Sequence, residues 1–126
     1  MFVKPRTVRV GDSIVEAAKL MRGEETGMAP IVDGGRLIGV ITERDITIRV
    51  VAEGRDPRTT KVEEIASRDL VTIDPDQDLD DALEVIALHD VKRLPVIEDD
   101  GTLVGIVARA DVARRVEAER EATVFA

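Results

Sequence analysis

Apolar positions recur at helical spacing in two places along the chain. Ile14, Ala17, Ala18 and Met21 fall at i, i+3, i+4 and i+7, and Leu79, Ala82, Leu83 and Ile86 repeat that spacing 65 positions later (79 − 14). An apolar stripe of that period predicts an amphipathic helix, so two helices of matching phase are expected. Each has a start signal in front of it, Ser13 with Glu16 and Asp78 with Asp81. In such pairs the first side chain accepts from a free amide of the opening turn and the second reaches back.

The polar and apolar pattern after each helix also repeats. Pro30 stands 13 residues after Ala17 (30 − 17), in Ala29-Pro30-Ile31-Val32, and Pro95 stands 13 after Ala82 (95 − 82), in Leu94-Pro95-Val96-Ile97. Both read as short buried strands. Asp33-Gly34-Gly35 and Asp99-Asp100-Gly101 follow as hairpin turns, where glycine supplies the positive φ that the reversal needs. The next strands are Leu37–Ile41 and Leu103–Val107, with Gly39 and Gly105 at equivalent places, which predicts a close backbone approach there. Each runs into a helix carrying Asp45 or Asp111. Thr7–Val10 and Leu70–Ile73 are strand candidates ahead of the two amphipathic helices. The predicted unit is β-α-β-β-α, of mixed α/β (α+β) class, present twice: residues 1–60 with a linker, and 61–126 with a C-terminal helix. In the linker, Gly54 is a helix stop, Pro57 follows, and Thr60 with Glu63 is the expected cap of a short helix around Val62 to Ala66.

Composition narrows the function. At 126 residues one compact body is expected, with an aliphatic core, because Phe2 and Phe125 are the only aromatic residues. Nothing here offers a stacking platform for exposed bases, and a net charge of −8 opposes contact with phosphate backbones, so nucleic acid is disfavoured as a partner. The chain has no cysteine and one histidine, His89, which removes thiolate chemistry and multi-histidine metal sites. Lys4, Arg6 and Arg9 interrupt the apolar residues of the first ten positions, and no run approaches membrane-spanning length, so a soluble cytoplasmic protein is expected.

Two alanine-containing helices, two proline-centred strands, two Gly-h-h-x-x-x-Asp motifs and the linker Ala52-Glu53-Gly54-Arg55-Asp56-Pro57 together resemble a CBS-domain pair, the family named after cystathionine β-synthase. The resemblance runs from Val8 to Val116. It implies two repeats packed through their sheets about a pseudo-two-fold axis into one compact module. It further implies pairing of modules into homodimers, and clefts that take adenosine-containing ligands such as AMP, ADP, ATP, NAD or S-adenosylmethionine. A stand-alone pair would act through an effector protein or through its dimer.

In the family, a Thr or Ser after the glycine strand and an acidic residue three positions on contact the ligand's phosphate and ribose; the first copy keeps both, as Thr42 and Asp45. A carboxylate accepts from ribose hydroxyls, and a hydroxyl with free helix-terminal amides suits a phosphate. Thr42-x-x-Asp45 reads equally as a capping box. The second copy has Ala108 in place of the threonine but keeps Asp111, which favours ligand contact and makes the two motifs unequal, Asp45 being the better site. Arg109 next to Ala108 is a substitute phosphate contact. By resemblance Met28, Leu94 and Leu70 flank the base, although each also reads as ordinary core. Arg44, Lys92, Arg93 and Arg109 are the phosphate candidates, although charged pairs at strand edges also serve solubility. No nucleophile and base pair is evident, so the expectation is a regulatory nucleotide-binding module and not an enzyme; a ligand-free oligomerisation module is the alternative.

Overall fold

The computed structural model describes residues 4–125, with side chains described as far as Glu121; Phe2 and the side chain of Phe125 lie outside that range. The chain divides into two compact units, one of Pro5–Leu70 and one that takes in Lys4 and the described residues from Val71 onward. Each has its own core.

In the first unit, β1 (Val8–Arg9) leads to α1 (Ile14–Glu24), then to the hairpin of β2 (Met28–Asp33) and β3 (Arg36–Thr42), then to α2 (Glu43–Ile46), a π-helical stretch at Thr47–Val51, and α3 (Val62–Ile65). The sheet order is β1-β2-β3, with β1 parallel to β2 and β2 antiparallel to β3. Gly34 and Gly35 take φ of 59° and 83° at the hairpin, which side-chain-bearing residues resist. Of the helical stripe expected from the sequence, Ile14, Ala17 and Met21 are buried, together with Leu20, Ile31, Ile41, Val50 and Ile65, whereas Ala18 is exposed. Burying an aliphatic side chain of this size contributes roughly 1.5–3 kcal/mol.

The second unit repeats the plan with α4 (Leu79–His89), β4 (Arg93–Ile97), β5 (Leu103–Ala108) and α5 (Arg109–Phe125). Its core is Ile73, Ala82, Ile86, Leu94, Val96, Val107, Val112 and Val116. The correspondence reaches fine detail. Both hairpins shift register at the same place, between Ile31 and Val32 and between Val96 and Ile97. Both amphipathic helices end on a left-handed residue, Glu25 at φ 51° and Asp90 at φ 50°, whose amides donate to Met21 and Ile86.

Two expectations need correction. The strand expected over Leu70–Ile73 is reduced to one parallel bridge, Ile73 with Val96. Beyond Ile73 the chain is diverted into a turn: the Asp74 amide donates to Gln77 Oε1 at 2.8 Å and the Asp76 amide to Asp74 Oδ1 at 3.1 Å, while Pro75 has no amide to extend a ladder. The second correction concerns α3, whose cap is Lys61 and not Thr60. The Lys61 amide donates to Glu64 Oε2 at 2.7 Å, and Thr60, buried, instead uses its carbonyl to accept from the Ile14 amide at 3.0 Å. No helix among the described residues is long and apolar enough to cross a membrane.

Candidate functional site

Gly39 fixes the local geometry of the first unit. A β-carbon there would stand 2.9 Å from the Ser67 carbonyl oxygen and 3.3 Å from Ala66 Cβ, so only glycine lets the chain after α3 lie against β3. Val40 and Ser67 then exchange backbone hydrogen bonds, Val40 N to Ser67 O at 3.0 Å and Ser67 N to Val40 O at 2.9 Å. This is the close approach that the strand glycine predicted, with its partner identified.

The approach carries the Ser67 hydroxyl to Asp45, to whose Oδ1 and Oδ2 it lies at 3.2 Å. Asp45 is held a second way: its Oδ2 accepts from the Thr42 amide at 2.9 Å, and the Thr42 hydroxyl accepts from the Asp45 amide at 3.1 Å. Thr42 and Asp45 therefore form the complete capping box that their spacing allows. Forming the box does not use up the site. An ionised carboxylate has about four acceptor positions, of which the Thr42 amide and one hydroxyl proton take two, and the Thr42 hydroxyl, serving as an acceptor, keeps its own proton to donate. Both side chains are half-buried, so they are fixed and still reach solvent.

The remaining candidates divide between the units. Met28, half-buried, opens β2 directly opposite Thr42 in the hairpin register, so the structure brings Met28, Thr42, Asp45 and Ser67 together. Arg44 is exposed on α2, and half-buried Leu70 ends the first unit. In the second unit, Arg93 opens β4 opposite Ala108, exposed Lys92 precedes it, and the Lys92 carbonyl accepts from the Arg109 amide at 2.8 Å. Lys92, Arg93, Ala108 and Arg109 are thus neighbours. The Arg109 guanidinium lies 3.6 Å from the Asp90 carboxylate. Asp111 sits in the first turn of α5, its carboxylate paired with Arg114. Leu94 is fully buried among core residues of the second unit.

Ser67 is the residue that sequence reasoning missed. Gly39 carried the signal that some backbone passes close by, but nothing in the spacing says that the passing segment brings a hydroxyl. The described residues hold no group of three or more His, Cys, Asp or Glu side chains able to hold a metal ion.

The repeated unit and its motifs agree with what comparison finds. The chain matches the CBS domain over residues 1–52 and 62–118, and it belongs to that family. It is 42% identical over 113 residues to the CBS domain-containing protein YhcV of Bacillus subtilis (strain 168), covering 90% of this chain and 79% of YhcV. The crystal structure of Hypoxic Response Protein I, solved with two coordinated zinc ions, superposes with a TM-score of 0.77 at 38% identity, covering 86% of this chain and 88% of that one. CBSX2, solved in complex with AMP, shares the fold with a TM-score of 0.78 at 22% identity, covering 94% and 95%. CBS-domain pairs are in general regulatory modules.

Proposed function

We propose that this chain is an adenine-nucleotide-sensing regulatory module, not itself an enzyme, that passes its signal to an effector protein or through a homodimer of CBS pairs in the cytoplasm. The observation that carries the proposal is the Asp45 carboxylate, anchored by Thr42 and Ser67 yet half-exposed and with acceptor positions to spare. A vicinal pair of ribose hydroxyls offers two donors at the spacing of one carboxylate's oxygens, and the Thr42 hydroxyl proton is available to a phosphate oxygen. Met28, opposite Thr42 in register, provides an apolar contact for the base, with Leu70 and Leu94 as further candidates. Arg44, Lys92, Arg93 and Arg109 are the cations assigned to phosphates, and Asp111 is the weaker counterpart of Asp45 because Ala108 lacks a hydroxyl and Arg114 occupies the carboxylate. AMP bound to CBSX2 is an instance of the same ligand class in a protein of this fold.

The test is a thermal-shift panel of AMP, ADP, ATP, NADH and S-adenosylmethionine on the wild type and on Asp45→Ala. A ligand at a hundredfold excess over its dissociation constant stabilises by about 2.7 kcal/mol, a readily measured rise in Tm. At least one ligand is expected to raise the wild-type Tm, with a smaller rise for Asp45→Ala, each measured against its own unliganded melt. No rise with any ligand would overturn the proposal. The second reading, a ligand-free oligomerisation module, draws on Ala108, which leaves the second motif without the hydroxyl that Thr42 supplies in the first.

A further inference from the structure

The helix α3 is too short to satisfy its own backbone. A helix of four residues leaves its terminal carbonyls without intrahelical donors, and Ala66, at ψ 139°, turns out of the helix at once. The Ile65 carbonyl accepts instead from the Arg49 guanidinium at 2.6 Å, a contact between residues 16 positions apart. A cation at a helix C-terminus suits the negative end of the peptide dipoles there. Arg49 stands on the π-helical stretch Thr47–Val51, and fully buried Val50 beside it roots that stretch in the core. It follows Asp45 by four positions (49 − 45), the spacing at which side chains on a helical run share a face. Both therefore reach the same short segment, Arg49 at Ile65 and Asp45 at Ser67.

The two ends of this segment are held differently. Its start is tied to the beginning of α1, where the Ile14 amide donates to the Thr60 carbonyl at 3.0 Å and the Val62 amide to the Asp12 carbonyl at 2.9 Å. Its end, residues 65–67, is tied to the elements that carry the candidate site: to Arg49 through Ile65, to Asp45 through the Ser67 hydroxyl, and to β3 through the backbone pair of Ser67 and Val40. Ser67 lies three positions (70 − 67) before the first unit ends at Leu70.

We infer that Arg49 is a positioning residue for the Asp45 site, and that residues 65–67 form a latch whose closure is coupled to occupancy of that site. Arg49 fixes the Ile65 carbonyl, which sets where Ser67 meets Asp45. Ser67 in turn orients the carboxylate that accepts the ligand's hydroxyls. Opening the latch removes that donor and leaves Asp45 held by Thr42 alone, so the open chain binds a ribonucleotide less tightly. Such coupling is reciprocal: a ligand that prefers the closed latch holds it closed by the same factor. The inference rests on the nucleotide reading, and adds to it a residue outside the site and a backbone segment that reports occupancy.

Hydrogen exchange at single amides, followed by NMR on the full chain with and without saturating AMP, tests it. The Ser67 amide donates to the Val40 carbonyl, so its exchange reports opening of the latch. Without ligand, Arg49→Ala is expected to speed that exchange at least about fivefold, and Arg49→Lys, which keeps a cationic donor, to restore most of the protection. AMP is expected to slow the exchange in wild type at least about fivefold, the low end of coupling between sites. In Ser67→Ala the same amide keeps its backbone partner while the latch no longer touches Asp45, so saturating AMP leaves its exchange unchanged. Equal protection by AMP in wild type and Ser67→Ala, or Arg49→Ala exchanging as wild type does, would overturn the inference. AMP binding, seen as shifted resonances, without slower exchange at Ser67 would overturn it and leave nucleotide sensing standing. Absence of AMP binding to wild type would overturn both.

Discussion

Asp45 is held by the chain on one side and offered to solvent on the other, and that division makes single-residue predictions separable. Ser67→Ala removes one donor from the carboxylate without touching the capping box, so stability should fall by about 1 kcal/mol in a denaturant titration. Nucleotide affinity should also fall, as Asp45 loses one of its two anchors. Gly39→Ala places a methyl group 2.9 Å from a backbone oxygen that no rotamer change can move, and should cost about 1–3 kcal/mol by the same titration. A variant as stable as wild type would contradict the close approach at Ser67. Thr42, Asp45 and Gly39 were legible in the sequence because each obeys a local rule, a spacing of three for the box and a glycine inside a strand. Ser67 was not, because its partner lies 22 positions away and only the packing of α3 beside β3 unites them.

Among elements, helix starts are where the local chemistry is most exposed to test. Asp78 Oδ1 accepts from the Asp81 amide at 2.8 Å, so Asp78→Ala should destabilise by about 1 kcal/mol, read from the chemical-denaturation midpoint. At α3 the Lys61 amide, aided by the Arg55 guanidinium and opposed by desolvation, holds the Glu64 carboxyl below the ordinary glutamate range. A folded-state pKa below the unfolded one means the contribution is present above the unfolded value, about 4.3, and lost as pH falls through the folded one. The stability deficit of Glu64→Gln should therefore be largest near neutral pH and vanish in acid; a deficit unchanged by pH would contradict the cap. The amphipathic helices and hairpins were legible from period and turn residues. The strand at Leu70–Ile73 was overread because its apolar residues fit a ladder, while Asp74-Pro75 ends the pairing after one bridge. The cap at Thr60 was misplaced because Thr60 is drawn into holding α1.

At the scale of the molecule, the two units share one backbone plan and differ in the side chains at matching positions. The backbone correspondence persists through hairpin bulges and left-handed helix ends, whereas Thr42 has become Ala108, Glu43 has become Arg109, and Gly23 has become Leu88. Fold and family followed from the repeat, which any two copies in register reveal. Which copy is proposed to bind rests on side chains that the repeat does not constrain. Under the proposed function, the unequal motifs predict one dominant ligand position. The most direct measurement is calorimetric titration of AMP into wild type, Asp45→Ala and Asp111→Ala. The prediction is saturable binding to wild type, weakened at least about tenfold by Asp45→Ala through loss of charge-assisted hydrogen bonds, and little changed by Asp111→Ala. Absence of binding to wild type, or binding that Asp111→Ala abolishes and Asp45→Ala spares, would contradict it.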